Sequence, residues 1–192
     1  MTSNSSNKIG HVAIIMDGNS RWARQRNLKT IEGHKQGVNR LRDIVKYSAK
    51  SEITHLSVFA FSTENWKRSA SDVSDLMKLF LQSIIKEVPE LIENKVQLNF
   101  IGDIPRFSKS LVSQINSAMK DTQAKKPNLN LNVAISYGGR WDILNAIKRI
   151  KDHKINTDKL SEDDFSNLLS TSDFPDPDLL IRTGDEIRIS NF

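Results

Sequence analysis

The sequence predicts a single α/β domain with a mostly parallel central sheet flanked by helices. Short apolar runs alternate with longer stretches of helical periodicity, which is typical of strand–helix–strand units. The chain of 192 residues is long enough for one ordinary domain, and no repeat or linker divides it. Residues 1–8 are polar and rich in Ser and Asn, so we expect a disordered N-terminus ahead of a folded domain at 9–192.

Each element has its own pattern. Five apolar runs predict strands at 11–16, 54–61, 96–101, 130–136 and 178–182. Apolar residues at helical spacing predict helices at 35–50, 73–92, 108–122 and 141–151, and a short helix is expected directly after Asn19. Ser161-x-x-Asp164 predicts a capping box that opens a last short helix.

Composition excludes several classes of function. The lack of cysteine rules out disulfides, thiolate zinc sites and a cysteine nucleophile, and it fits a cytoplasmic protein. No apolar run approaches the ~20 residues that a membrane-spanning helix needs. The formal net charge of +5 suits nucleic acid, anionic lipid or phosphorylated small molecules, and an ordinary basic surface explains it equally well.

Polar segments, most of them containing glycine, follow all five predicted strands. Ligands of parallel α/β sheets bind at the carboxyl ends of the strands, so these segments predict a site at that edge. The segments are 17–19, 62–68, 102–103, 137–140 and 182–186.

The loop after the first strand predicts an anion site with a metal beside it. The backbone amides of Gly18 to Arg21 and the Arg21 guanidinium would meet at a helix N-terminus, where the helix dipole favours anions. Asp17 adds a carboxylate, through which a divalent cation could bridge to a phosphate. A plain strand-to-helix turn is the alternative, and no P-loop motif occurs.

A second anion cluster is predicted late in the chain. Arg182 stands at the exit of the last strand, with Arg188 and Ser190 on one side of a following extended piece. Guanidinium forks bind phosphate oxygens bidentately, so this cluster suits a diphosphate, with unpartnered surface arginines as the alternative. His34, expected just before the helix at 35–50, could donate to a phosphate or serve as a cap. Two anion sites at one edge suggest two phosphorylated substrates.

The helix at 73–92 has an unusually wide apolar stripe. Such a stripe predicts either a well-buried helix or one wall of an apolar tunnel at the carboxyl edge of the strands, with a kink at Pro89. A tunnel beside a polyanion site would fit a prenyl diphosphate. The stripe consists of Leu76, Met77, Phe80, Leu81, Ile84, Ile85, Val88 and Ile92.

Five motifs together resemble the cis-prenyltransferases, the family that includes bacterial undecaprenyl diphosphate synthases. They run in the family's order across almost the whole chain. The motifs are Met16-Asp17-Gly18-Asn19-x-Arg21-Trp22-Ala23, Gly33-His34, Phe59-Ala60-Phe61-Ser62-x-Glu64-Asn65-Trp66-x-Arg68, Tyr137-Gly138-Gly139-Arg140 and Arg182-Thr183-Gly184-x-Glu186-x-Arg188-Ile189-Ser190-Asn191-Phe192.

The resemblance implies that isopentenyl diphosphate is condensed onto an allylic diphosphate such as farnesyl diphosphate. The implied product is a long-chain cis-polyprenyl diphosphate, namely undecaprenyl diphosphate for the cell-wall lipid carrier. Asp17 would handle Mg²⁺, and Asn65 is the residue implied in proton removal. A neutral amide is a very weak base, so we expect Asn65 to orient a water or a diphosphate oxygen that takes the proton.

The resemblance also implies the substrate contacts. The allylic diphosphate would be bound by Gly18, Asn19, Ser20, Arg21, Trp22 and His34. Around Asn65 would lie Ser62, Thr63, Glu64, Trp66 and Arg68. The isopentenyl diphosphate would be held by Arg182, Arg188, Ile189 and Ser190.

Further implications are a cytoplasmic homodimer, transient contact with the inner membrane for product release, and no nucleic-acid partner. The family continues beyond the position of Phe192 with a dimerising segment and an acidic metal ligand, so we expect this chain to lack them. Three positions depart from the pattern of many relatives: Thr30 replaces a phosphate-binding arginine, Asp185 a glycine and Ile187 a histidine.

Three alternatives stay open at this point. One is a non-catalytic accessory subunit of the same fold, although such subunits generally lack the aspartate found here at Asp17. Another is a different phosphate-binding α/β protein. A trans-type prenyl synthase is poorly supported, because residues 163–167 lack the final aspartate of its Asp-Asp-x-x-Asp motif.

Overall fold

The computed structural model describes residues 8–192 and contains a five-stranded parallel sheet between helices, which confirms the predicted fold class. Residues 1–7, most of the segment expected to be disordered, lie outside the described residues. The strands are β1 (His11–Ile15), β2 (His55–Ser62), β3 (Val96–Ile101), β4 (Leu129–Tyr137) and β5 (Leu179–Arg182). The helices are α1 (Asn19–Arg24), α2 (Thr30–Ser48), α3 (Ala70–Glu93), α4 (Lys109–Asp121), α5 (Gly139–Asp152) and α6 (Glu162–Ser166).

The strand order β3-β4-β2-β1-β5 places the ends of β2, β1 and β5 side by side. Ile15, the last residue of β1, pairs with Phe59 on one side and with Arg182 on the other. The loops that follow these three strands therefore leave the sheet at neighbouring points of one edge.

The two faces of the sheet have different cores. Val12 and Ile14 of β1 pack on the face covered by α2, α3 and α4, whose buried contributors include Val45 and Leu91. Ile15 and its neighbours on the opposite face pack against α5 and the C-terminal segment. The alternation along β1 assigns its residues to these faces in turn, as expected for a strand buried on both sides.

A register shift near the end of β2 changes the face of the sheet to which its side chains point. Regular alternation would put Phe59 and Phe61 on the same face of the sheet. The pairing with β4 is irregular between these residues, so Phe59 packs towards α5 whereas Phe61 packs against Leu76 of α3. Bulges of this kind commonly re-aim side chains beside functional sites.

The start of α2 differs from the prediction. The predicted boundary at residue 35 is wrong, because the helix begins at Thr30 and His34 lies inside it. Gly33 explains the difference: a Cβ there would lie 2.8 Å from the Asn19 carbonyl carbon and closer still to its oxygen. The glycine permits close approach of α1 to α2, and it does not interrupt the helix.

Helix α3 runs without interruption through Pro89. Its apolar stripe is only partly covered, because Leu76 is buried while Ile85 and Ile92 are exposed. No helix among the described residues has both the length and the apolar character to span a bilayer. The capping box predicted at Ser161 and Asp164 is present at the start of α6.

Candidate active site

Asp17 lies directly after β1 and is surrounded by cationic side chains. Its Oδ2 accepts hydrogen bonds from Arg182 Nη2 at 2.8 Å and Arg182 Nε at 3.2 Å, and it lies 3.4 Å from Arg21 Nη2. Its Oδ1 accepts from the Gly18 amide at 2.6 Å. The two predicted anion clusters therefore meet at one carboxylate.

The surroundings of Asp17 keep it ionised. Burial by itself would raise the pKa of the carboxyl, but the hydrogen bonds from Arg182 and the Gly18 amide hold that pKa below its ordinary value. The Arg21 charge acts in the same direction. Asp17 is therefore a carboxylate at neutral pH and accepts bonds only.

Two uncharged residues determine where Asp17 lies: Thr183 holds its backbone, and Gly184 leaves room for its side chain. The Thr183 hydroxyl accepts from the Asp17 amide at 2.9 Å and donates to the Asp17 carbonyl at 2.7 Å. A Cβ on Gly184 would lie 2.7 Å from Asp17 Oδ2 and 2.5 Å from Arg21 Nη2. Neither residue is charged, so the sequence marks them only as members of the motif that begins at Arg182.

The loop after β2 is closed by a capping box. The Ser62 hydroxyl accepts from the Glu64 amide at 3.1 Å, while Asn65 Oδ1 accepts from the Ser62 amide at 2.9 Å. Asn191 Nδ2 donates to Ser62 Oγ at 3.2 Å and to Thr63 Oγ1 at 3.0 Å. The side-chain oxygen of Asn65 thus accepts a hydrogen bond within the loop. The side-chain NH₂ is the group of Asn65 that could donate to a ligand.

His34 carries a buried nitrogen, Nε2, that has no hydrogen-bond partner among residues 8–192. Burial lowers the pKa of the ring, the Arg68 charge lowers it further, and Asp72 opposes this change. His34 and Arg68 line two cavities. One lies at the carboxyl edge of the sheet, beside Asp17 and Arg182, and is called the central cavity here. The other, of about 280 Å³, lies beside Lys29 and Thr30. A phosphate in either cavity would lie beside the His34 ring, and Nε2, which protein atoms now cover, would gain the partner that it lacks if the ring turned towards it.

Two predicted substrate-binding tryptophans do not line the central cavity. Trp66 packs against Phe61 and Phe107, and its Nε1 donates to Ser136 Oγ at 2.9 Å. Trp22 instead lines a separate cavity of about 380 Å³ together with Asp17, Gly18 and Asn19, and the Arg26 guanidinium lies 4.3 Å from the centre of its ring. Trp66 therefore supports the loop after β2, whereas Trp22 lies beside the loop after β1.

The late cluster is only partly assembled. Arg182 and Ser190 line the central cavity, whereas Ile189 is 63% exposed and the Arg188 guanidinium reaches Glu186 at 3.7 Å. Residues 183–192 form no strand, and Ser190, with a left-handed φ of 63°, departs from the extended conformation expected to align it with Arg188. Arg188 instead contacts the site through its carbonyl, which accepts from Arg182 Nη1 at 2.9 Å.

The central cavity encloses about 190 Å³ at the carboxyl edge of the sheet. Its predicted polar lining residues are Asp17, Asn19, His34, Ser62, Glu64, Asn65, Arg68, Arg182 and Ser190. An apolar cavity of about 140 Å³ adjoins it between α2, α3 and the sheet. The two cavities share Met16, Val38, Ala60 and Phe80 in their linings. The polar cavity and the apolar cavity are therefore neighbours, with these four side chains between or beside them.

No cluster of three His, Cys, Asp or Glu side chains suited to a metal occurs within residues 8–192. The Asp17 carboxylate nevertheless suits Mg²⁺ as a metal ligand, since this ion is commonly bound through one or two carboxylates together with substrate phosphates.

Curated relatives agree with the motifs. An isoprenyl transferase of Neisseria meningitidis serogroup A is 46% identical over 95% of this chain and 72% of its own length. A ditrans,polycis-undecaprenyl-diphosphate synthase of Coxiella burnetii, specific for (2E,6E)-farnesyl diphosphate, is 46% identical over 95% of this chain and 78% of its own length.

Solved structures and a family model agree as well. Lavandulyl diphosphate synthase from Lavandula x intermedia, in complex with dimethylallyl diphosphate, has a TM-score of 0.90 at 35% identity, covering 96% of this chain and 81% of its own. A probable undecaprenyl diphosphate synthase from Campylobacter jejuni has a TM-score of 0.79 at 31% identity, covering 97% and 80%. The family model described as putative undecaprenyl diphosphate synthase matches residues 15–192, and the chain therefore belongs to the cis-prenyltransferase family.

Proposed function

We propose that this chain condenses isopentenyl diphosphate with an allylic diphosphate, farnesyl diphosphate, to form a long-chain cis-polyprenyl diphosphate. The observation that carries this proposal is that a polar and an apolar cavity adjoin and share four lining residues. The polar cavity at Asp17 and Arg182 suits a diphosphate, and the adjoining apolar cavity suits a prenyl chain. The name of the Coxiella burnetii relative supports farnesyl diphosphate as the primer.

The allylic diphosphate is assigned to the Asp17 loop and His34. His34 Nε2 would bind a phosphate oxygen, and Arg21 would add a charged donor. The second cavity beside His34 also contains Lys29, which places a cation next to Thr30, where many relatives have an arginine. We assign the isopentenyl diphosphate to Arg182 and Ser190.

Arg182 links the two proposed diphosphate positions. Its guanidinium donates to Asp17 and to the carbonyl of Arg188, so one side chain contacts both the first loop and the last segment. Fixed donors of this kind hold two reacting groups in register and stabilise the charge of a departing diphosphate.

Mg²⁺ is the proposed cofactor, and Asp17 together with substrate phosphate oxygens would hold it. When bound, the ion would neutralise charge on the leaving diphosphate. Asn65 is proposed to position the group that accepts the proton, because its carbonyl is already committed to Ser62 and its free NH₂ donates only.

The proposed product is undecaprenyl diphosphate for the cell-wall lipid carrier. Release of such a lipid favours a cytoplasmic enzyme with transient contact at the inner membrane, and the family resemblance favours a homodimer. The accessory-subunit alternative is not favoured, since the chain retains Asp17.

Radiolabelled isopentenyl diphosphate provides the test. We expect Mg²⁺-dependent transfer of the label into a solvent-extractable lipid when farnesyl diphosphate is the primer, and loss of this transfer in Asp17→Ala. Asp152→Ala, at the exposed end of α5, is the matched control and should retain activity. Normal turnover by Asp17→Ala, or no priming by any allylic diphosphate, would contradict the proposal.

A further inference from the structure

Two ion pairs join α2 to α3 along the side of the apolar cavity. Arg42 and Glu87 form a bidentate pair, with Nε donating to Oε2 at 2.6 Å and Nη2 donating to Oε1. Lys46 Nζ lies 2.7 Å from Glu90 Oε1. All four residues line the cavity, whose remaining lining is almost entirely apolar.

The sequence spacing places these two ion pairs at successive turns of α2 and α3. Arg42 and Lys46 are four residues apart on α2, and Glu87 and Glu90 are three apart on α3, so each couple lies on one helix face. The two ion pairs therefore connect α2 and α3 at two successive turns.

The Arg42–Glu87 ion pair is the stronger of the two. The two side chains are only 24% and 20% exposed, whereas those of Lys46 and Glu90 are 46% and 37% exposed. The Arg40–Asp43 pair within α2 is more exposed still, at 80% and 63%. Partly desolvated bidentate pairs resist separation more than exposed pairs, most of which contribute little. The hydrogen bonds that Arg42 donates to Glu87 also raise the pKa of the guanidinium, despite the opposing effect of burial.

The apolar cavity, as it stands in this structure, is too small for a long product. A cavity of about 150 Å³ accommodates benzene, and this one encloses about 140 Å³. A polyprenyl chain of many isoprene units exceeds that volume several times over. Since the sheet forms the opposite wall, the growing chain can gain room by parting α2 from α3.

We propose that the Arg42–Glu87 and Lys46–Glu90 pairs, here called the α2–α3 latch, oppose this parting and so limit the length of the product. The inference rests on the proposed function. Each added isoprene unit must strain or break the latch, and the balance between elongation and release sets the chain length. The latch residues contact neither Asp17 nor Arg182, so weakening the latch should alter product length more than the rate of the first condensation.

Charge reversal tests the latch. We expect Arg42→Glu, which faces Glu87 with a like charge, to shift the product distribution towards longer chains. The double variant Arg42→Glu/Glu87→Arg should restore the original distribution. Arg40→Glu, which breaks the exposed pair on the same helix, is the matched control and should leave the distribution unchanged.

A distance measurement gives a readout that is independent of activity. The chain has no cysteine, so spin labels at Tyr47→Cys on α2 and Lys86→Cys on α3, both exposed, would be the only ones attached. Arg42→Glu should widen the distance distribution between them, and the double reversal should narrow it again.

The outcomes are distinct. An unchanged product length in Arg42→Glu, or a double reversal that behaves like the single variant, overturns the latch. If the unaltered chain forms no product from any primer, the proposed function fails. The label distances then decide whether the ion pairs hold the helices together, and an unchanged distance in Arg42→Glu rejects the latch.

Discussion

Gly184→Ala should strongly reduce turnover while leaving the fold intact. The new Cβ would lie 2.7 Å from Asp17 Oδ2, and ordinary contact begins at 3.4 Å, so the carboxylate must retreat by about 0.7 Å. Arg21 Nη2, at 2.5 Å from the same point, must move as well. The atoms that would be struck are the ends of side chains, so the backbone need not shift.

The two expected effects differ in size. A misplacement of 1 Å at a reacting centre reduces the rate about 100-fold, so a shift of this size predicts a loss of roughly 10- to 100-fold in kcat. That loss corresponds to about 1.4–2.7 kcal/mol of transition-state stabilisation. The free energy of unfolding should change by less than about 1 kcal/mol, since alanine also restricts the unfolded chain and thereby offsets strain.

The assay combines initial rates of isopentenyl diphosphate incorporation with urea unfolding of the same preparations. Gly139→Ala is the matched control, because its Cβ would meet only the Phe192 carbonyl oxygen at 3.9 Å, an ordinary contact. Wild-type turnover in Gly184→Ala would refute the role assigned to this glycine. A parallel collapse of stability and activity would refute the claim that only side-chain ends must move.

Three further predictions concern stability. Gly33→Ala should lower the free energy of unfolding by about 1–3 kcal/mol in urea titrations, more than Gly184→Ala, because its Cβ meets the Asn19 backbone. Thr183→Val should lower it by about 0.5–1.5 kcal/mol, because the exposed Asp17 amide exchanges its hydroxyl partner for water; an unchanged midpoint would contradict this anchoring role. Stability should fall as the pH drops through 6.5 and towards the lowered pKa of His34, because the unfolded chain then binds more protons; His34→Gln should remove that part of the pH slope.

The strands and the site edge could be predicted because apolar runs and the loops that follow them are local signals. The start of α2 could not be predicted. Gly33 looks like a helix breaker in sequence, and only the approach of the Asn19 backbone shows why glycine is required inside the helix. Sequence spacing likewise gives no sign of the register shift that sends Phe59 and Phe61 to opposite faces.

The site was predictable in its charges and not in its contacts. Asp17 and Arg182 appear in sequence as parts of two separate anion sites, yet they touch, because β5 pairs directly with β1. Arg188 looks equivalent to Arg182 in sequence, but the irregular segment turns its guanidinium towards Glu186. Thr183 lacks charge, so its role follows only from the hydrogen bonds that it makes with the Asp17 backbone.

The pairing of β1 with β5 also has a consequence for biosynthesis. Asp17 and Arg182 are separated by 165 residues, a span that a ribosome adds in roughly 10–30 s at 5–20 residues per second. During that interval one edge of β1 has no neighbouring strand, and such an edge invites pairing with other chains. The Asp17–Arg182 contact thus forms only after β5 has been made, and β5 then replaces β1 as the edge strand of the sheet.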